Sequence, residues 1–174
     1  MKSLLKITVL LCGIALSACS TPNAAPADEG QNMTYAEIKA EYDAKQEAPY
    51  TRVQYVYADQ VGSMTPYRVV EVKVNGVWTV DTTATEGGIT ESAMAYLANM
   101  VAIPNYENTP SGTTVTFKKL SGNQYKVVST GVQHNTTMEQ EVVFDQYFCI
   151  IKATQKADGQ EVIKIYDVTW STVQ

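Results

Sequence analysis

The chain has 174 residues, with 18 acidic and 13 basic side chains and a formal net charge of −5 at pH 7. Nucleic acids and anionic lipid headgroups are bound by basic patches, so this acidic balance argues against both as partners. The length suits one domain with one hydrophobic core.

The first 18 residues have the order of a bacterial export signal. Lys2 and Lys6 supply positive charge, an apolar stretch of about a dozen residues follows, and Ser17 and Ala18 are small. The apolar stretch is too short to span a bilayer comfortably. Residues 1–18 are therefore predicted to be a signal peptide.

The residues that follow this apolar stretch, Leu16-Ser17-Ala18-Cys19, resemble the bacterial lipobox. In a lipobox, the cysteine sulfur receives diacylglycerol before the chain is cleaved on the amino side of that cysteine. The resemblance implies a mature protein that begins at Cys19, because two or more acyl chains anchor a protein stably to a membrane. The alternative is an ordinary signal peptide that happens to carry a cysteine at this position.

The lipobox also implies a place and a domain plan. We expect an exported protein of the bacterial cell envelope, lipid-anchored to the outer membrane or the cell surface. Residues 19–33 are polar and carry Pro, Ala and Gly without apolar periodicity, which predicts a lipidated flexible tether. Residues 34–174 then form a single α+β domain, and no part of it has the roughly 18 uncharged apolar residues of a spanning helix. With both signal lysines removed, 11 basic and 18 acidic side chains remain, a net charge of −7.

Cysteine usage leaves one thiol in the mature chain. Cys12 is removed with the signal and the sulfur of Cys19 becomes a thioether, so Cys149 has no disulfide partner within the chain. Cys149 lies in the apolar run at 147–151, where a free cysteine usually behaves as a small buried hydrophobic residue. A reactive nucleophile is the alternative.

A first helix is predicted from residue 34 to a point before Pro49. Thr34 and Glu37 have the spacing of a capping box, in which each side chain satisfies a backbone amide of the first turn. Apolar side chains then recur at helical spacing: Tyr35, Ile38 and Tyr42. We expect these side chains to dock the helix on a sheet; a ligand-binding face is the alternative.

From residue 50 the apolar period changes to two, and Asn75-Gly76 is the turn signal of a hairpin. A two-residue turn would place Trp78 on the face of Glu71 and Lys73 and mix polarity on both sides of the sheet. A three-residue loop at 74–76, with Gly76 at positive φ, would expose both charged residues. The side chains that this second register buries are Val70, Val72, Trp78 and Val80. We therefore predict the three-residue loop.

Residues 90–102 predict a second helix, with good helix formers, no charge after Glu91 and a stop at Pro104. A helix that is apolar nearly all round must be covered on most sides. It would lie wholly in the core, or its Met and Ala side chains would form the adaptable wall of a cavity.

Strand and turn signals alternate from residue 113 to residue 170, which predicts an antiparallel meander of four or five strands. His134 falls in a polar segment of this region that we expect to be a loop. The predicted fold class is α+β, a curved antiparallel sheet or incomplete β-barrel packed with two helices.

This order of elements behind a lipobox resembles the lipoprotein-carrier superfamily of LolA, LolB and LppX-type proteins. The resemblance rests on the element order over residues 34–170, the apolar helix around 94–101, and the closing strands at 139–145 and 161–170, with no short motif. In that superfamily, an incomplete antiparallel barrel is plugged by helices, and acyl chains lie between them. A comparable cavity here, with no charged group inside, would be bordered by Met94, Leu97, Val101, Val115, Phe117 and Ile165.

The sequence has no catalytic or metal signature. His134 is the only histidine, and Glu139 and Glu141 share one face of a predicted strand, as on a solvated surface. One histidine and one free cysteine cannot make a structural zinc site. Asp158-Gly159 lacks the spaced oxygen ligands of a calcium loop. We expect no enzymatic activity, no cofactor and no metal.

Two function classes follow from these observations. The first is a membrane-anchored protein that binds a lipid, an acyl chain or another apolar molecule in a cavity between sheet and helices. The second is a cell-envelope interaction module, whose strand edges or tyrosines contact another protein or a carbohydrate. An enclosed apolar cavity would favour the first, since natural cores contain few voids larger than a water molecule.

Overall fold

The computed structural model describes residues 30–59 and 66–172, apart from the side chain of Val101. These ranges form nine strands, two α-helices and two short 3-10 helices, at Ile103–Tyr106 and Ser121–Asn123. The α-helices are α1 (Tyr35–Asp43) and α2 (Ala93–Val101). The strands are β1 (Gln31–Met33), β2 (Arg52–Asp59), β3 (Tyr67–Val74), β4 (Val77–Val80), β5 (Thr114–Lys119), β6 (Tyr125–Gln133), β7 (Thr136–Phe144), β8 (Ile150–Ala157) and β9 (Gln160–Ser171).

All nine strands belong to one antiparallel sheet that is not closed, in the order β1-β5-β6-β7-β8-β9-β2-β3-β4. Strands β5 to β9 are neighbours in chain order, which confirms the predicted meander. Strand β2 pairs with β9, so the hairpin of β3 and β4 extends the far side of the same sheet. An antiparallel sheet with two helices is therefore confirmed. The two strands named above as closing strands, β7 and β9, are not neighbours, because β8 lies between them.

The first helix begins where the capping box predicts. The backbone N–H of Thr34 donates to Oε2 of Glu37 over 2.7 Å, and the N–H of Glu37 donates to Oγ1 of Thr34 over 3.3 Å. Ile38 is fully buried, and the ring of Tyr35 lies 6.1 Å from that of Phe117 on β5. Tyr35 and Ile38 therefore dock the helix on the sheet, as predicted.

The sheet begins earlier than the sequence indicates. Gln31, Asn32 and Met33 form β1, which pairs with β5 so that Met33 lies opposite Phe117. These three residues were assigned to the flexible tether because they lack apolar periodicity. Their partner strand lies more than 80 residues away in the chain, so local composition carries no signal of the pairing.

The predicted hairpin register is wrong. Asn75 and Gly76 form a two-residue turn with φ of 51° and 82°, and Lys73 pairs with Trp78. Positive φ at both positions is typical of the type I′ hairpin turn, whose twist matches that of the strands. The positive φ of Gly76 and the burial of Val70 and Val80 are confirmed.

The exposure predicted for the two charged residues is also wrong. Glu71 is only 1% exposed, and Lys73 is half-buried beside Glu47, with which it forms an ion pair. Val72 and Trp78 are half-buried instead of buried. A carboxylate can lie on the inner face of a sheet when hydroxyl groups there donate to it, so polar and apolar residues need not separate by face.

Helix α2 starts after Ser92, whose hydroxyl accepts from the N–H of Ala95 over 2.8 Å and so caps the helix. Met94 and Leu97 are buried against the sheet. The outer face is open, with Tyr96 57% and Met100 37% exposed, so the expectation of cover on most sides is wrong. Within the described residues, neither helix has the length and apolar character needed to cross a membrane.

Candidate functional site

A cavity of about 220 Å³ lies between the two helices and the inner face of the sheet. Met94, Ala95 and Ala98 contribute from α2, and Tyr42 contributes from α1. The opposite wall is made by side chains of β2, β3, β4, β7, β8 and β9. Because these strands come from both halves of the chain, the cavity exists only once β2 has paired with β9.

Five aromatic rings line the cavity: Tyr42, Trp78, Phe144, Phe148 and Trp170. Trp78 and Trp170 meet edge to face with ring centroids 5.4 Å apart, and Tyr42 and Phe148 do so at 5.2 Å. The indole N–H of Trp170 donates to the carbonyl of Ile150 over 3.0 Å. These contacts hold the rings in place, so the aromatic wall is formed before any ligand enters.

The turn between β7 and β8 supplies one of these rings. Oδ1 of Asp145 accepts from the backbone N–H groups of Tyr147 and Cys149, each over 2.8 Å. Phe148 stands between them at a φ of 58°, a value rare for an aromatic residue. The carboxylate of Asp145 therefore fixes the turn that directs Phe148 toward Tyr42 and Phe144.

The cavity reaches solvent beside α2. Ala95 and Ala98 line it and are themselves exposed, one turn apart on the same side of the helix. Their side chains are single methyl groups, so little side-chain bulk separates the cavity from solvent at these positions.

One acidic side chain, that of Glu71, lies in the cavity wall. The hydroxyl of Tyr55 donates to Oε1 of Glu71 over 2.5 Å, and Oγ of Ser92 lies 2.9 Å from both carboxylate oxygens. Burial, followed by the charge of Glu71 and the hydrogen bond to it, raises the pKa of Tyr55 far above its usual value. Tyr55 therefore remains a proton donor to the carboxylate throughout the physiological range.

Cys149 also lines the cavity, in the turn that precedes β8. The thiol is half-buried, and burial together with the charge of Asp145 raises its pKa to about 12. Since the thiolate is the reactive form, this environment favours the structural interpretation of Cys149 over a nucleophile.

The other side chains considered for chemistry lie apart from the cavity. His134 is exposed in the turn between β6 and β7, as predicted. Glu139 pairs with Lys156 at 3.0 Å, and Glu141 with Lys126 at 2.7 Å, across neighbouring strands. Within residues 30–59 and 66–172, no cluster of three or more His, Cys, Asp or Glu side chains has a geometry that could hold a metal ion.

The side chains predicted to border a cavity do not all lie beside the cavity observed between the helices and the sheet. Met94 lines it, whereas Leu97, Phe117 and Ile165 are buried in the core and lie outside its lining. Val115 is half-buried against that core. The side chain of Val101 and all of Cys19 lie outside the described residues.

Neither the aromatic wall nor the burial of Glu71 was predicted from the sequence. A cavity with no charged group was expected, yet Glu71 lines the one described here. The available signal was a single acidic residue within the apolar strand Tyr67–Val74, flanked by two valines. The polarity pattern assigned this residue to solvent.

Comparison of the chain with models of known protein families, with curated proteins and with solved structures gives no match. The resemblance to the lipoprotein carriers therefore stays a prediction.

Proposed function

We propose that the protein is an exported bacterial lipoprotein, anchored through Cys19, that binds a small apolar molecule in the cavity beneath α2. The observation that carries the binding proposal is the cavity itself, with five aromatic rings in its walls and an opening beside Ala95 and Ala98. A concave, mostly apolar space with a few polar groups in its wall is the usual form of a small-molecule site, and this space has a volume of about 220 Å³. No catalytic step is involved.

The volume limits the size of the ligand. Pockets that hold drug-sized molecules occupy about 300–1,000 Å³, whereas a buried apolar cavity of about 150 Å³ already admits benzene. A volume of about 220 Å³ therefore suits a single substituted ring or a short alkyl segment. A whole diacyl lipid would require the helix to move away from the sheet.

The proposal extends to the shape of the sheet, which we take to be a curved, incomplete barrel around the helices. Bulges place one extra residue on β9, between Tyr166 and Thr169 opposite β2, and one on β8, between Ile150 and Lys152 opposite β7. A bulge bends the strand that carries it and increases the local twist. Both bulges adjoin residues of the same strands that line the cavity, Trp170 on β9 and Ile150 on β8.

The interaction-module alternative has its own support on the outer face of α2. Tyr96 and Met100 are exposed there, and large exposed apolar side chains are frequent at protein contacts. This face lies outside the lining of the cavity, so the two functions make different predictions for substitutions on α2.

The deciding experiment narrows the opening. Ala98→Trp places a large side chain at the entrance, and Asn99→Trp places the same side chain at an adjacent exposed position outside the lining. Binding of three neutral probes (4-fluorotoluene, 1-fluorohexane and 4-fluorophenethyl alcohol) is followed by ¹⁹F NMR. We expect Ala98→Trp to weaken binding by about tenfold or more, a loss of at least ~1.4 kcal/mol, while Asn99→Trp stays near wild type.

Urea midpoints of both variants should match that of the wild type, because both positions are exposed. Failure of all three probes to bind the wild type, or equal binding by the two variants, would overturn the binding proposal.

A further inference from the structure

We propose that the cavity selects an apolar organic ammonium ion, a protonated amine attached to a single ring or a short alkyl body. This inference rests on the proposed function and names its ligand class. It rests on the presence of Glu71 in a cavity wall that also carries five aromatic rings. Three properties support it: the hydrogen bonding of Glu71, its charge and the aromatic wall.

The hydrogen bonds to Glu71 do not use all the acceptor sites of its carboxylate. A carboxylate offers about four lone-pair sites to donors. The hydroxyl groups of Tyr55 and Ser92 carry one proton each, so together they occupy about two of these sites, even though Ser92 Oγ lies within 2.9 Å of both oxygens. An ammonium group, with three donors, can occupy sites that the protein leaves open.

The charge of Glu71 is not neutralised by direct contact with a cationic side chain of the described residues. None of the ion pairs among the described residues includes Glu71, although its side chain is only 1% exposed. Lys73, two residues further along the same face of β3, is paired with Glu47. An acidic side chain that is buried without a cationic partner is costly, and the cost falls when a ligand supplies the cation.

The aromatic wall favours the same ligand. A cation near the face of an aromatic ring is attracted by the ring quadrupole, most strongly by tryptophan. Trp78 and Trp170 both line the cavity, with Tyr42, Phe144 and Phe148 completing the wall. Aromatic rings around a carboxylate form the combination that recognises an ammonium group, because the rings bind the apolar body and the carboxylate fixes the charged end.

The same arrangement disfavours an anionic ligand. A fatty-acid carboxylate in the cavity would lie close to Glu71, and like charges in a poorly hydrated site repel strongly. The net negative charge of the chain adds to this repulsion at longer range. The site should therefore discriminate among apolar ligands by the charge of their polar end.

The test uses three probes with a similar body and different polar ends: 4-fluorophenethylamine, 4-fluorophenethyl alcohol and 3-(4-fluorophenyl)propionate, measured by ¹⁹F NMR at pH 7. We expect the amine to bind about tenfold or more tightly than the alcohol, and the carboxylate most weakly. In Glu71→Gln the amine should bind about as the alcohol does. The control Glu107→Gln, which removes the same charge at an exposed position outside the cavity lining, should keep the wild-type preference.

The outcomes distinguish this inference from the proposed function. Equal binding of amine and alcohol to the wild type, or an amine preference that survives in Glu71→Gln, overturns the ammonium site and leaves the apolar cavity intact. Failure of all three probes to bind overturns the proposed function as well. If circular dichroism shows Glu71→Gln to be unfolded, Trp78→Leu carries the test: a lower ratio of amine to alcohol affinity supports the site, and an unchanged ratio overturns it.

Discussion

The hydroxyl of Tyr55 on β2 donates to Oε1 of Glu71 on β3 over 2.5 Å, diagonally across the antiparallel pair. Glu71 therefore lies on the same inner face of the sheet as Tyr55. Because side chains alternate along a strand, Lys73 then shares that face, and its partner across the hairpin is Trp78. One buried hydrogen bond is therefore tied to the register of the whole hairpin.

Tyr55→Phe should destabilise the protein by about 1–3 kcal/mol, because it leaves a buried carboxylate with one donor fewer. The control is Tyr57→Phe on the same strand, where the hydroxyl donates over 2.8 Å to the partly exposed Asp59, a change that should cost less than about 1 kcal/mol. Urea unfolding of both variants measures the difference. Equal losses of stability in the two variants would show that the hydrogen bond to Glu71 contributes no more than the one to Asp59.

Gly87 and Gly88 offer a test of steric fit against backbone strain. Both have positive φ, of 89° and 75°, but a Cβ at Gly87 would lie 2.0 Å from Cδ1 of Tyr67, whereas one at Gly88 would meet nothing within 4 Å. Gly88→Ala should cost about 1–2 kcal/mol, the cost of left-handed backbone for a residue with a side chain. Gly87→Ala should lose a further ~1–3 kcal/mol through overpacking. Similar urea midpoints for the two variants would contradict the close approach of Tyr67.

The stability of the protein should fall between about pH 10 and pH 12. Burial raises the pKa of Tyr106 to about 12, and burial together with the hydrogen bond to Glu41 raises the pKa of Tyr125 to about 12. Above pH 10 the unfolded chain loses these protons first, so the folded state binds more protons and stability decreases as pH rises. Below pH 10 this contribution is fully present.

Urea midpoints measured from pH 8 to pH 12 test this behaviour. Tyr106→Phe removes one of the titrating groups, so the decline should be shallower than in the wild type. Tyr96→Phe, at a tyrosine that is 57% exposed, is the matched control and should retain the wild-type slope. Identical slopes in all three proteins would contradict the assignment to Tyr106.

The lipid anchor is tested at the lipobox. Cys19→Ala should leave an uncleaved precursor without acyl chains, since the thiol that accepts diacylglycerol is absent. Cys12→Ala, within the predicted signal peptide, should mature normally. Intact mass and partition into detergent give the readout in a bacterial host. A Cys19→Ala protein that still reaches the mature acylated mass would overturn the anchor.

Features set by neighbouring residues could be predicted from the sequence. The capping box of Thr34 and Glu37 joins residues three positions apart, and Asn75-Gly76 marked the position of the hairpin turn. The length of that turn was not predicted correctly, because it depends on which face of β3 tolerates Glu71. The donors that make burial of Glu71 tolerable lie 16 and 21 residues away in the chain.

By itself, the sequence determined the two helices, the meander of strands β5 to β9 and the positions of most turns, because periodicity and turn chemistry act over a few residues. Only the tertiary structure decided that β2 pairs with β9, that β1 joins β5, and that Glu71 faces a cavity walled by Trp78 and Trp170. These relationships join segments tens of residues apart, and each is stabilised by contacts that form only when the sheet is complete. The site is therefore a property of how the strands pair and not of any short motif.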